Sequence, residues 1–138
     1  MRQLEHERGG IDRLASNQRL YLDIKESADW TDPLIRQQIA QIETGYQIGR
    51  DMVLRNVLRQ TPFPQYSAVT KTWCTEFEQE VTNFVGLVTG AETMLANRVS
   101  RNVVYAPAYT IMGGTTQILR NIIGERILGL PREPRPQS

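Results

Sequence analysis

Apolar residues recur at helical spacing along almost the whole chain, and this periodicity restricts the chain to a helical fold. The spacing predicts a first helix over about residues 3 to 26, because one face of it carries, with a single polar interruption at Gln18, the apolar residues Leu4, Ile11, Leu14, Tyr21 and Leu22. Gly9 and Gly10 interrupt its first half. A glycine costs about 1 kcal/mol in a helix interior, so the pair indicates close packing or a bend.

Two further helices have clear start and stop signals. Asp32 can cap free backbone N–H groups, and Pro33 suits a first helical turn. The second helix ends at the two prolines of TPFP, residues 61 to 64, and its apolar face consists of Ile35, Ile39, Ile42, Tyr46, Gly49, Val53 and Val57. The third ends at Gly90, and its face consists of Val69, Trp73, Phe77, Val81, Phe84 and Val88.

The last third of the chain combines an ambiguous segment with a well-defined helix. Residues 91 to 112 fit either a short helix or, at VVYAPAYTIM, an extended segment. The final helix opens at Gly113 and ends at Gly129, Leu130 and Pro131, with one stripe formed by Ile118, Leu119, Ile122, Ile123, Ile127 and Leu128. The pattern predicts an all-α domain over residues 1 to 130, an antiparallel four-helix bundle, followed by a disordered proline-rich tail at 131 to 138.

Composition excludes several classes of function. The 138 residues carry a net charge of +1 with no basic helix face, which disfavours nucleic acid as a partner. Cys74 and His6 are the only cysteine and histidine, too few for a disulfide or a metal site, so we expect Cys74 to be a core residue. No stretch reaches the length of a membrane span, and the charged N-terminus differs from a signal peptide. The default location is the cytoplasm.

A long stretch near the C-terminus resembles one protein family. Residues 109 to 134, YTIMGGTTQILRNIIGERILGLPREP, resemble the C-terminal signature of acyl-CoA dehydrogenases in order and spacing. The opening LEHERGG is similar to the start of the same helical domain in that family. The resemblance implies a C-terminal four-helix bundle, which in the complete enzymes follows an N-terminal helical domain and a β-domain.

The resemblance also implies a chemistry. Such enzymes hold FAD and remove two hydrogens across the α and β carbons of an acyl-CoA thioester. Electrons usually pass on to an electron-transfer flavoprotein. In many members the catalytic glutamate immediately precedes the Gly-Thr turn, but Gly113 stands there in this chain. A minority place it on the first helix before an arginine, and Glu7, followed by Arg8, matches that position. Glu7 is therefore a candidate base or an ordinary charge near a helix start.

Gly114, Thr115, Thr116 and Gln117 match the family stretch that contacts FAD. Glycines allow close approach of the backbone to a ligand, and a helix start offers free N–H donors. The simpler alternative is a tight loop with Thr115 as helix cap. Two other family motifs, Arg-x-x-Phe-Gly and Gln-x-x-Gly-Gly-x-Gly, are absent, so other FAD contacts of the family have no counterpart here. Their loss resembles a divergent bacterial branch with unlike paired subunits, some acting on bulky substrates such as steroid side chains.

Two functions follow from these observations. The first is the flavin-facing domain of an acyl-CoA dehydrogenase, which we expect to be inactive without the N-terminal and β-domains. The second is a non-catalytic assembly module that forms a homo- or hetero-oligomer, pairing with itself or with a larger dehydrogenase subunit. The GTTQ stretch and Glu7 favour the first, whereas Gly113 and the missing motifs favour the second.

Overall fold

The fold is all-α, as predicted. A computed structural model describes residues 14 to 132, and these contain no strand. The helices are α1 (Gln18–Lys25), α2 (Pro33–Val57), α3 (Tyr66–Thr89), a 3₁₀-helix (Gly90–Met94), α4 (Arg98–Tyr109) and α5 (Thr116–Arg126). None of these described helices has the length and apolar character needed to cross a membrane. Glu7, His6, the paired glycines and residues 133 to 138 lie outside the described part.

The sequence signals at the ends of α2 and α3 are confirmed. The Asp32 side chain accepts a hydrogen bond of 2.7 Å from the N–H of Leu34, and Pro33 occupies the first turn. Helix α2 ends at Val57, four residues before Thr61. At the end of α3, Gly90 has φ +61°, a conformation that glycine adopts without strain.

The ambiguous segment after Gly90 is helical. After the 3₁₀-helix, Asn97 begins α4 with a capping box, since its side chain accepts from the N–H of Ser100 and the Ser100 hydroxyl accepts from the N–H of Asn97. The extended alternative for VVYAPAYTIM is wrong. Pro107 is tolerated inside the last turn of α4, where Thr110 caps the helix.

Helix α3 is the centre of the fold, because it packs against α1, α2, α4 and α5. Its predicted apolar face supplies core residues, among them Phe77, Val81 and Phe84. The opposite side is buried too, although it is polar. This second stripe, which the sequence analysis missed, consists of Lys71, Thr75, Glu78 and Thr82, each at most 1% exposed.

The predicted first helix is interrupted, and Glu78 is the reason. Residues 15 to 17 form a turn before α1, so a continuous helix over 3 to 26 is wrong for the described residues. The N–H of Asn17 donates to Oε2 of Glu78 at 3.0 Å, and Nδ2 of Asn17 donates to the same oxygen at 2.6 Å. The N–H of Asn17 thus pairs with a side chain from α3 instead of a helical carbonyl.

Close approach of α2 and α3 depends on two glycines. A Cβ at Gly45 would overlap the ring of Phe77, and a Cβ at Gly49 would overlap Trp73 and Leu14. The Trp73 and Phe77 rings stack with centroids 5.0 Å apart, and Tyr46 meets Phe77 edge-on. The glycines therefore form a shallow groove on α2 that receives the aromatic rings of α3.

Several predicted core positions are exposed. Val57 at the end of α2 is 63% exposed, and on the predicted stripe of α5 Ile118 is 54% and Leu128 66% exposed. The prediction assumed that the whole apolar stripe of α5 faces the core. Helix α5 packs chiefly against α3, and Leu119 is its one fully buried large apolar side chain among the described residues.

The packing at Gly45 and at Gly86 predicts opposite effects on stability for alanine substitutions at these two glycines. Gly45→Ala should lower the free energy of unfolding by about 1–2 kcal/mol, because overpacking against Phe77 outweighs the higher helix propensity of alanine. Gly86→Ala on α3 is the matched control, since a Cβ there would lie 3.8 Å from Val103 in ordinary contact. It should raise that free energy by up to about 1 kcal/mol. Urea denaturation measures both, and equal effects of the two substitutions would contradict this packing.

Glu78 predicts a pH-dependent stability. Burial raises the pKa of its carboxyl to about 8, although the Asn17 hydrogen bonds act in the opposite direction. The unfolded value is 4.5, so between pH 4.5 and 8 the folded state binds more protons than the unfolded state. The free energy of unfolding should therefore fall across this window, by on the order of a few kcal/mol.

Glu78→Gln should flatten that pH dependence, because the amide is neutral throughout and can accept the same bonds from Asn17. The measurement is urea denaturation of wild type and variant at pH 5, 7 and 9. Glu80→Gln, an exposed substitution on the same helix, should leave the slope unchanged. A wild-type slope that persists in Glu78→Gln would show that Glu78 is not its source.

Candidate functional site

The segment that matches the family's flavin contact forms a tight turn between α4 and α5. We call residues 113 to 117 the GGTTQ turn. The N–H of Thr116 donates to the carbonyl of Thr110 at 2.9 Å, which closes the loop. Gly113 has φ +68° and Gly114 has φ +100°, values that side-chain-bearing residues rarely adopt. Both glycines are therefore required by the backbone.

Thr115 caps α5, as the sequence allowed. Its Oγ1 accepts a hydrogen bond of 3.2 Å from the N–H of Ile118. Thr116 is buried, whereas Gln117 is exposed. The turn therefore presents the exposed amide side chain of Gln117 at the positive end of a helix.

Helix α3 holds this turn from the protein interior. The Nζ of Lys71 donates to the carbonyl of Gly114 at 2.8 Å, and Nε2 of Gln79 donates to Oγ1 of Thr110 at 3.3 Å. One turn into α5, Arg120 forms a 2.6 Å ion pair with Glu76. Three polar contacts along α3 thus fix the turn and the start of α5.

Lys71 is a buried residue at the candidate site that the sequence analysis missed. It is 1% exposed, although lysine is rarely buried without a polar partner. Its spacing from Thr75, Glu78 and Thr82 would have placed it on a polar helix stripe, and such a stripe usually faces solvent. A signal was present in the pattern, because two stripes of opposite character cover most of the circumference of α3.

The structure describes one of the two candidate positions for the catalytic base. Gly113 occupies the commonest base position of the family, and a Cβ there would meet nothing within 4 Å, so space exists for a side chain. Its positive φ still favours glycine. Glu7 lies outside the described residues. Glu78 cannot replace either of them, because it is 0% exposed and bonded to Asn17.

Cys74 is a core residue, as predicted. It is fully buried and unpaired by any disulfide, and burial raises the pKa of its thiol to about 12. A thiol with such a pKa is not a nucleophile at neutral pH. Within residues 14 to 132, no group of three or more His, Cys, Asp and Glu side chains is placed to hold a metal ion.

A separate open groove of about 570 Å³ lies between α2 and α3. Amide and carboxyl groups of Gln38, Gln41, Glu80 and Asn83 line it, together with Ile42 and Phe84. None of these residues belongs to the GGTTQ turn. The groove and the GGTTQ turn are therefore different features.

The GGTTQ turn fits a polar oxygen of a ligand. Gly113 and Gly114 carry no Cβ on this turn, and the Gln117 side chain beside them is exposed. The residues that would hold part of a flavin are thus Gly114, Thr115 and Gln117, with Thr116 buried behind them. These residues account for one region of contact with a flavin, and other parts of the site would bind the rest of it.

Comparisons with known proteins identify the family to which the chain belongs. Residues 1–128 match the family model described as acyl-CoA dehydrogenase, C-terminal domain. The chain is 35% identical over 108 residues to the acyl-CoA dehydrogenase IpdE1 of Mycolicibacterium smegmatis, covering 74% of this chain and 27% of that protein. It is 30% identical over 119 residues to IpdE1 of Mycobacterium tuberculosis, covering 80% of this chain and 30% of that protein. The chain thus belongs to the acyl-CoA dehydrogenase C-terminal domain family.

Proposed function

We propose that this domain forms one wall of an FAD site in an acyl-CoA dehydrogenase that oxidises the α,β bond of an acyl-CoA thioester. The observation that carries the proposal is the GGTTQ turn, which has two positive-φ glycines, an exposed Gln117 and a rigid attachment to α3. When bound, FAD supplies the hydride acceptor for this reaction. The chain's own part is to orient the flavin and to exclude water on one side of it.

The proton acceptor in this proposal is Glu7, on the basis of family resemblance alone. A carboxylate close to the reacting α carbon can take its proton once the thioester carbonyl is polarised. Gly113 offers no such group. Physiological electron transfer to an electron-transfer flavoprotein, a cytoplasmic location and a bulky acyl group such as a steroid side chain belong to the same proposal and rest on the same resemblance.

The matched length limits what this chain does alone. It spans 27% and 30% of the two relatives it matches. A Cβ at Gly113 would meet nothing within 4 Å, Gln117 is exposed, and the open groove between α2 and α3 does not include the turn. An acyl-CoA thioester bound at the turn would therefore remain in water, which weakens both positioning and electrostatic catalysis. We expect no acyl-CoA-dependent dye reduction by the 138 residues alone.

A second candidate function, assembly, is supported by exposed apolar side chains around α4 and α5. Large apolar residues there stand open to solvent, with exposures of 87% for Met94, 80% for Val104, 61% for Ile111 and 54% for Ile118. Exposed apolar side chains mark a protein interface where they form one patch, and these four lie in neighbouring segments of the sequence. In this proposal the domain pairs with a second copy or with a larger dehydrogenase subunit, and it does so whether or not it holds flavin.

A flavin titration of the purified chain tests the main proposal. The wild type should quench FAD fluorescence saturably, whereas Gly114→Ala should weaken binding by about tenfold or more, since a Cβ at φ +100° displaces the turn. Gly129→Ala is the matched control, because that glycine also has a positive φ of +68° but lies at the other end of α5. Absence of binding by the wild type would leave the assembly function as the better account of the isolated chain.

Glu7 is tested in the complete enzyme that contains this domain. Glu7→Gln should lower kcat by about 10²–10⁴-fold, the usual contribution of a positioned proton acceptor. FAD content should stay unchanged, because the substitution keeps size and polarity. Glu5→Gln, two residues earlier in the same segment, serves as control. An unchanged kcat in Glu7→Gln would remove Glu7 from the mechanism and leave it as an ordinary charge.

A further inference from the structure

The side chain of Lys71 reaches the carbonyl of Gly114 within the GGTTQ turn. It lies on α3, 43 residues before Gly114, and its Nζ donates to that carbonyl at 2.8 Å. Lys71 is 1% exposed, so little water competes for this hydrogen bond. A hydrogen bond made out of water is a stronger restraint than one at the surface.

The position of the bonded carbonyl matters as much as the strength of the hydrogen bond. The Gly114 carbonyl belongs to the peptide that joins Gly114 to Thr115, the residue that caps α5. Rotation of this peptide would swing the carbonyl toward the ligand side and turn the Thr115 N–H inward. Lys71 opposes that rotation, because its amino group lies on the interior side of the turn.

The other contacts to α3 do not replace this restraint. The Gln79 bond ends on Thr110 and measures 3.3 Å, and the Glu76 ion pair ends on Arg120 within α5. Both side chains of that ion pair are more than one third exposed, so solvent weakens it. Of these three contacts from α3, the Lys71 bond alone acts on the peptide between the two glycines and the helix.

We propose that Lys71 is the positioning residue of the flavin contact: it fixes the Gly114–Thr115 peptide and, through it, the conformation of the GGTTQ turn at the start of α5. The inference rests on the proposed function only for the identity of the ligand. Its structural half concerns the turn alone and holds or fails without any flavin. Lys71 does not touch the ligand in this proposal.

The structural half is tested by amide hydrogen exchange of the ligand-free chain. Lys71→Met keeps an unbranched side chain, one heavy atom shorter, and removes the donor, and it should accelerate exchange at residues 115 to 118 by about ten- to a hundredfold. Core amides of α2 should keep their relative protection. Thr82→Val is the matched control, since Thr82 is equally buried on α3 but bonds only to carbonyls of its own helix. Unchanged exchange at residues 115 to 118 in Lys71→Met would overturn the proposal.

A measurement on the wild type keeps the proposal testable if Lys71→Met fails to fold. The Nζ–H signals of Lys71 in a nitrogen-15 NMR spectrum should exchange slowly with water at low temperature, because the group is buried and bonded. Rapid averaging with solvent, as for a surface lysine, would overturn the proposal. Neither outcome depends on a variant or on flavin.

The ligand half is tested by FAD titration with the same variants. Lys71→Met should weaken FAD binding by about tenfold or more, and Lys71→Arg, which restores an N–H donor, should recover most of it. Equal FAD affinity of wild type and Lys71→Met, together with accelerated exchange at the turn, would show that Lys71 holds the turn without serving the flavin. Failure of the wild type to bind FAD contradicts the proposed function instead, and the exchange result still decides the role of Lys71.

Discussion

Pairing of backbone groups at the breaks between helices is the constraint on which this structure depends. Two segments far apart in sequence interrupt helical hydrogen bonding, at Asn17 before α1 and at Gly114 before α5. A buried N–H or C=O without a partner costs about 1–3 kcal/mol. Helix α3 supplies both partners from its own side chains, Glu78 for the N–H of Asn17 and Lys71 for the carbonyl of Gly114. The two breaks are therefore stable only because α3 lies between them.

The burial of Lys71 and Glu78 follows from the same arrangement. Lys71 and Glu78 are two helical turns apart, so they lie on the same side of α3. Each faces a backbone group of complementary character, a carbonyl for the amino group and an N–H for the carboxyl group. The Glu78 carboxyl also leaves Oε1 without a partner among the described residues, and burial raises its pKa. The neutral form is therefore favoured around neutral pH, and it avoids the larger cost of a buried charge.

Sequence reasoning succeeded where the signal was local and failed where it depended on a distant partner. Asp32 and Pro33, TPFP, Gly90 and the Gly113–Gly114 pair act on their immediate neighbours, so the ends of α2 and α3 and the start of α5 were predictable. The break at residues 15 to 17 needs Glu78, 61 residues away, and no local pattern contains that information. The sequence analysis missed the buried polar stripe of α3 for the same reason. A helix that buries a polar stripe cannot be distinguished from a surface helix until its neighbours are known.

The candidate site shows how these two levels combine. The residues GGTTQ are predictable as a turn because two glycines and a capping threonine specify it locally. Their exact orientation is not, because the peptide after Gly114 has an alternative rotation that glycine would tolerate. Flexibility that lets the backbone approach a ligand also removes the preference for one conformation, so the preference has to come from elsewhere. A lysine buried beneath the turn supplies it from a rigid helix, and this divides the work between permissive glycines at the surface and a fixed donor in the core.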